Sequence, residues 1–264
     1  MLRNVFTKSL WDQRRSLSGW AAGVALLVLL EAALWPSVRG MAGFDELLNS
    51  YPQAMRELFN LQDFTTGRGF LNAELYSMVL PVLFVVFGIG RGARAVAGEE
   101  EAGTLEVLLV TPVSTTRLVL QQAAVLATAT AALGAVLFAA VIASSPVFGL
   151  GIGVADAATG SLSMVLIGIE FGFLALAIGA ATGRRAAAIG AAATAALAAY
   201  LLYAIGQLTD PVRPWLPLSP FHQALEGGPL GAGLPAAYAW MALAAAVVVA
   251  AALPVFERRD IAAH

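Results

Sequence analysis

Long apolar runs alternate with more polar connections along the whole chain. Because the hydrocarbon core of a bilayer is about 30 Å thick, a helix needs roughly 20 apolar residues to cross it. Six segments meet this requirement and are predicted to be transmembrane helices: residues 18–35, 75–90, 118–143, 160–181, 186–206 and 236–255. The pattern therefore predicts an all-α polytopic membrane protein with a single transmembrane domain over residues 1–264.

The first 17 residues have a different pattern. At 100° per residue, Leu2, Val5, Phe6, Leu10 and Leu17 share one side of a helix, and Arg3, Lys8, Arg14 and Arg15 lie opposite. This pattern is typical of an amphipathic helix in the membrane interface, predicted here for residues 1–17. The alternative is a basic tail that only sets the orientation of the chain.

Two connections are predicted to carry short structure of their own. The one from Pro36 to Glu74 has apolar residues at helical spacing, with Pro52 placed to begin a short helix. The last connection is rich in proline, namely Pro211, Pro214, Pro217, Pro220, Pro229 and Pro235. Because proline stops helices, we expect short, broken, re-entrant structure there.

Composition excludes several classes of protein. Hydrophobic residues make up 59% of the chain and charged residues 12%, against roughly 25% charged in a soluble domain. The absence of cysteine excludes disulfides and thiolate metal sites, and two histidines, His222 and His264, favour no metal site. The chain has no Lys/Arg-rich run, so we expect no nucleic-acid partner.

The basic residues predict the orientation in the membrane, since they accumulate on cytoplasmic connections. Eleven of the 15 fall on the side of the two termini: Arg3, Lys8, Arg14, Arg15, Arg91, Arg94, Arg117, Arg184, Arg185, Arg258 and Arg259. We therefore expect a multi-pass protein of the cell inner (plasma) membrane with both termini in the cytoplasm.

The chain offers no set of catalytic residues. A phosphate-binding P-loop needs glycines before Gly-Lys-[Ser/Thr], whereas the single lysine stands in Thr7-Lys8-Ser9 without them. We therefore expect no nucleotide cofactor bound by this chain. An intramembrane serine protease is disfavoured, because His222 belongs to the last connection and Ser161 and Ser163 to a span.

Three carboxylates fall in or beside the predicted spans. Glu31 and Glu74 lie near helix ends at the same membrane level, where they can reach water. Glu170 lies near the middle of the fourth span and has no such route. It must face a polar cavity or the translocation path, pair with another group, or be protonated at a dimer seam. Small neighbours such as Gly168, Gly172 and Ala175 favour the dimer seam, because they allow close helix packing.

The connection between the second and third spans carries the most distinctive segment, residues 99–114. Carboxylates at its start are followed by a five-residue apolar run and by Thr111-Pro112, which can begin a helix. Either the apolar run dips into the interface or it is a short helix presented to a partner protein.

This segment resembles a motif of the ABC-2 exporter permeases, Glu-Glu-x-Gly-Thr-Leu-Glu-x-Leu-Leu followed by Pro-Val-Ser. Here it reads Glu100-Glu101-Ala102-Gly103-Thr104-Leu105-Glu106-Val107-Leu108-Leu109, then Pro112-Val113-Ser114. The six-span plan and the ending Phe256-Glu257-Arg258-Arg259-Asp260-Ile261 extend the resemblance over essentially the whole chain. Thr115 stands where many relatives have arginine, and Arg117 can take that place.

The resemblance implies a permease that forms the substrate path as a homodimer or a heterodimer with a related permease. A separate ABC ATPase subunit, holding ATP and Mg, would bind the coupling segment 99–114. The contact residues it implies are Glu99, Glu100, Glu101, Gly103, Thr104, Leu105, Glu106, Leu108, Leu109, Pro112, Val113, Ser114 and Arg117. Export of a drug-like or lipid-like molecule is expected.

Two other functions compete with this one. An ion-gradient-driven secondary transporter tends to show inverted repeats and several intramembrane ionisable groups, whereas this chain offers Glu170 and no obvious repeat. An integral-membrane enzyme is disfavoured by the lack of a catalytic set.

Overall fold

The computed structural model describes residues 5–39, 51–52, 55–56, 63–101, 103 and 115–258. Within these ranges the regular structure is entirely helical. The α-helices are α1 (Val5–Val38), α2 (Gly67–Leu71), α3 (Val79–Ala93), α4 (Thr115–Phe148), α5 (Val154–Thr182), α6 (Arg185–Leu208), α7 (Pro220–Leu225) and α8 (Ala237–Glu257), besides a single turn at Glu99–Glu101. Six of them, α1, α3, α4, α5, α6 and α8, are long and apolar enough to cross a membrane, which confirms the predicted number.

The first span is longer than predicted. One continuous helix runs from Val5 to Val38, without the predicted division between an interfacial helix ending at residue 17 and a span beginning at residue 18. The Ser18 hydroxyl donates to the Arg15 carbonyl, 2.9 Å away, within the helix instead of capping a new one. At the other end, α1 includes Pro36 in its last turn, where the missing proline N–H removes only one backbone hydrogen bond.

The second span is shorter at its beginning than predicted. Met78 has a non-helical backbone (φ −145°, ψ −50°) that separates α3 from a π-helical turn at Asn72–Tyr76. A second π-helical turn, Arg94–Gly98, follows α3 and leads into the Glu99–Glu101 turn. Such turns are rare in proteins, and those that occur are often found at functional sites.

Helix α5 lies at the centre of the bundle and packs against α3, α4, α6 and α8, while α1 packs mainly against α4. Glycines allow α3 and α5 to touch through their backbones. A Cβ on Gly88 would lie 2.0 Å from the Gly168 carbonyl oxygen, and one on Gly92 would lie 2.0 Å from that of Gly172. Each helix thus contributes a Gly-x-x-x-Gly pair to one seam.

We call the end of the bundle near residues 5 and 258 the proximal end and the opposite end the distal end. At the distal end the Asn72 side chain clamps the last connection: its Nδ2 donates to the Leu230 carbonyl (2.9 Å), and its Oδ1 accepts from Leu230 N (3.0 Å). Glu74 and Glu31 lie near each other there, as the sequence indicates. Burial, with a further contribution from the charge of Glu31, raises the pKa of Glu74.

The proline-rich connection forms short, broken pieces of structure, as predicted. It forms a 3₁₀ turn, Arg213–Leu218, followed by α7. The Ser219 hydroxyl donates to the Ala199 carbonyl at 2.8 Å, and Phe221 packs on Phe171 with ring centroids 5.8 Å apart. Because Ala199 precedes the end of α6 by nine residues, the connection re-enters the bundle to a depth of roughly 13 Å.

In the connection that follows α1, a helical turn begins at Pro52, whose carbonyl accepts from Arg56 N at 3.2 Å. The short helix predicted to continue from it lies outside the described residues.

Candidate functional site

The described part of the predicted coupling segment lies at the proximal end. Glu99, Glu100 and Glu101 form a helical turn directly after the second π-helical turn. Arg117 belongs to the first turn of α4 and is exposed. The other predicted contact residues lie outside the described residues: Thr104, Leu105, Glu106, Leu108, Leu109, Pro112, Val113 and Ser114.

Gly103 closes the acidic turn. Its N–H donates to the Glu100 carbonyl at 3.0 Å, and its φ of +67° lies in the left-handed region that L-residues with a Cβ avoid. A helical turn that ends in this conformation favours glycine, which gives the Gly103 of the motif a physical role.

Glu101 connects the coupling segment to another membrane helix. Its Oε1 accepts from the backbone N–H of Arg185, 2.8 Å away, at the first residue of α6. The first N–H groups of a helix have no intrahelical partner, and a carboxylate placed there also interacts favourably with the helix dipole. This contact therefore links the acidic turn to the start of α6.

This contact joins residues 84 positions apart and was missed by the sequence reasoning. A signal for it exists, because the residue before the helix, Arg184, makes no side-chain cap. A helix that begins without Ser, Thr, Asp or Asn leaves N–H groups for a carboxylate from elsewhere in the chain.

Further side-chain contacts join the other helices at the proximal end. The Arg91 guanidinium donates to the Gln13 side chain, linking α3 to α1, and lies 5.0 Å from the centre of the Phe87 ring. The Thr116 hydroxyl donates to the Glu257 carboxylate, which links the start of α4 to the end of α8. The coupling segment thus leaves and rejoins a bundle end where neighbouring helices are tied together.

A small cavity of about 180 Å³ lies beside the acidic turn. Its walls come from the first turns of α1, the second π-helical turn, the acidic turn and α4, and they include Lys8, Asp12, Arg94, Glu99 and Gln122. Among the described residues that line it, two side chains are acidic and two are basic, so these residues give the cavity no excess of either charge.

Glu170 lies in the middle of α5, on a stripe that is half-exposed. The stripe consists of Val165, Leu166, Ile169, Glu170, Phe173, Leu174, Ala177 and Ile178. One carboxylate oxygen, Oε2, is buried without a hydrogen-bond partner among the described residues. The single chain therefore leaves this part of its central helix only partly covered.

The small residues near Glu170 do not mark a dimer seam. Gly168 and Gly172 contact the backbone of α3 in the same chain, and Ala175 is fully buried. The two glycines face away from Glu170, since positions two residues apart on a helix point to nearly opposite sides. These small residues therefore no longer support the placement of Glu170 at a dimer seam.

Six membrane-length helices in one bundle, with an acidic segment at the proximal end, define a multi-pass membrane protein. A comparison with family models matches residues 3–261 to the ABC-2 family transporter proteins. Since the match covers nearly all of the 264 residues, the chain belongs to the ABC-2 transporter family. It is thus a membrane component of a transport system. A comparison with curated proteins finds no match.

Proposed function

We propose that the chain is the membrane-spanning permease of an ATP-driven exporter, working as a dimer with a separate ABC ATPase. Membership of the ABC-2 family and the absence of a P-loop from the sequence support this division of labour. The observation that carries the proposal is the acidic segment after α3, attached to α6 through Glu101 and Arg185.

The ATPase would bind residues 99–114 at the proximal end, which would face the cytoplasm. The described basic residues support this orientation, since most of them lie at that end, including Arg91, Arg94, Arg117, Arg184 and Arg185. The apolar run would supply the contact area, and the carboxylates would meet basic groups of the ATPase and set its register.

ATP hydrolysis would be coupled to transport through the contacts that join the coupling segment to the membrane helices. ATP-driven closure of the ATPase dimer would move the coupling segment, and the Glu101 contact would carry that movement to α6. Since α6 and the re-entrant α7 are joined through Ser219 and Ala199, the movement would extend to the distal half of the bundle. Such a two-state element, biased by nucleotide, can switch the path between its two openings.

Two substitutions in the coupling segment test the proposal. Leu105→Asp and Glu106→Lys should weaken binding of the ATPase about tenfold or more, because loss of a central contact costs at least about 1–2 kcal/mol. The measurement is co-purification of the ATPase with each variant from membranes, together with ATP-dependent transport.

A matched control is available at the other end of the bundle. Leu234 is 71% exposed in the last connection, so Leu234→Asp introduces the same change far from the coupling segment. The control should insert, bind the ATPase and transport normally. Normal ATPase binding and transport by both coupling variants would refute the proposal. Transport that follows an ion gradient and needs no ATP would instead establish a secondary transporter.

A further inference from the structure

A cavity of about 460 Å³ lies at the distal end, where the re-entrant α7 forms part of its lining. This volume is within the range of about 300–1,000 Å³ that is typical of small-molecule sites. Its polar lining comes from separate parts of the chain and includes Asp63, Tyr203, Gln207, Arg213, His222 and Glu226. The cavity is distinct from the proximal coupling surface.

Most charges around this cavity are compensated. Arg213 lies 3.6 Å from Asp210, and Asp63 lies 3.4 Å from Arg68. Among the described residues, the only ion-pair partner of Glu226 is His222, whose Nε2 lies 3.5 Å from a Glu226 carboxylate oxygen. Burial lowers the pKa of His222, and the smaller opposing influence of Glu226 does not reverse this shift, so the imidazole is neutral at pH 7. Among the described residues, no positive charge then compensates Glu226.

The same pair determines which nitrogen of His222 carries the proton. A carboxylate can only accept hydrogen bonds, so it favours the proton on the facing Nε2 and leaves a lone pair on Nδ1. Nδ1 is buried and has no hydrogen-bond partner among the described residues. The Tyr203 ring, 6.4 Å from the imidazole between centroids, packs beside it. The residues that line the cavity thus include a carboxylate and an imidazole whose Nδ1 has no partner among the described residues.

We propose that this distal cavity binds a small organic cation that also carries a hydrogen-bond donor. The positive group would lie beside the Glu226 carboxylate, and a hydroxyl or N–H of the ligand would donate to His222 Nδ1. Charge-assisted contacts of this kind are stronger than neutral ones. An anion would be repelled by Glu226, and the described residues hold no cluster of three His, Asp or Glu side chains for a metal ion. Binding here does not depend on coupling to ATP.

The test uses two probes of equal shape, choline and 3,3-dimethylbutan-1-ol, in which carbon replaces the charged nitrogen. Isothermal titration calorimetry on the full chain in a neutral detergent measures the affinity for each. Choline should bind at least about tenfold more tightly than its neutral isostere. In protein with isotope-labelled histidine side chains, choline should shift the NMR signals of His222 and leave those of His264, the second histidine, unchanged.

Two variants assign the binding to this cavity. Glu226→Gln should weaken choline binding about tenfold, and folding should tolerate it because the Glu226 side chain is 68% exposed. Asp156→Asn removes another distal carboxylate, one that does not line the cavity, and should leave choline binding unchanged. Absence of choline binding, equal affinity for the two probes, or choline binding that Glu226→Gln leaves unchanged would overturn the proposal.

Discussion

His222 gives the distal end a defined dependence on pH. Burial lowers its pKa below the ordinary 6.5, so the folded protein resists protonation of a group that the unfolded chain protonates readily. The corresponding contribution to stability is complete above pH 6.5 and is lost as the pH falls through the lower pKa of the folded state.

We therefore predict that the free energy of unfolding decreases between pH 7 and pH 5, with a slope from this residue of at most about 1.4 kcal/mol per pH unit. Thermal unfolding in detergent at several pH values measures it. His222→Gln should reduce the pH dependence, whereas His264→Gln should not. An identical pH dependence in wild type and His222→Gln would contradict the assignment.

Single residues show where sequence reasoning reached its limit. The turn glycine, Gly103, lay within a motif, but its positive φ became visible only in the structure. The partner of Glu101 is an N–H 84 residues further along the chain, and no local pattern encodes such a pairing. The His222 and Glu226 pair has helical spacing, yet its significance depends on a cavity that several distant segments enclose.

At the scale of elements, the seam between α3 and α5 is sensitive to side-chain size. Gly88 faces the Gly168 carbonyl so closely that any Cβ forces the helices apart, whereas a Cβ at Gly90, two residues along the same helix, meets no atom within 4 Å. The two glycines therefore form a matched pair.

Gly88→Leu should destabilise the protein by at least about 2 kcal/mol, because overpacking forces helix displacement. Gly90→Leu should leave stability nearly unchanged. Thermal unfolding of both variants in the same detergent makes the comparison, and equal stability of the two would refute the close backbone contact.

The number of spans was predictable because a bilayer demands about 20 apolar residues per helix. The helix boundaries were less predictable: α1 and α4 continue through Pro36 and Pro146 near their ends. The proline-rich connection was correctly predicted as broken, since its six prolines remove backbone donors that a continuous helix needs. The π-helical turns around α3 have no comparable sequence signature and were not predicted.

At the scale of the whole molecule, the open question is whether Glu170 lines the translocation path or forms a contact between subunits. If Glu170 forms a hydrogen bond across a dimer, Glu170→Gln should preserve the dimer and Glu170→Leu should weaken it by roughly 0.6–1.7 kcal/mol. If Glu170 lines the path, Glu170→Gln should change transport and leave the dimer intact. Dimer affinity and transport, measured for both variants, separate the two roles, and wild-type behaviour of Glu170→Leu in both assays would exclude each of them.

The absence of a P-loop predicts that the purified chain hydrolyses no ATP. Hydrolysis should appear only in the complex with its ATPase. A point substitution in this chain controls for a contaminating ATPase. If the isolated chain hydrolysed ATP and such a substitution abolished the hydrolysis, the division of labour would be contradicted.

The central claim is that a separate ABC ATPase binds the coupling segment, and site-specific crosslinking tests it most directly. The chain has no cysteine, so Leu105→Cys and Leu108→Cys each provide a single attachment point, with Leu234→Cys at the distal end as the control. In membranes, the two coupling variants should crosslink to a protein that mass spectrometry identifies by its P-loop, and the control should not. No crosslink from residues 105 and 108, or an equal one from residue 234, would contradict the account.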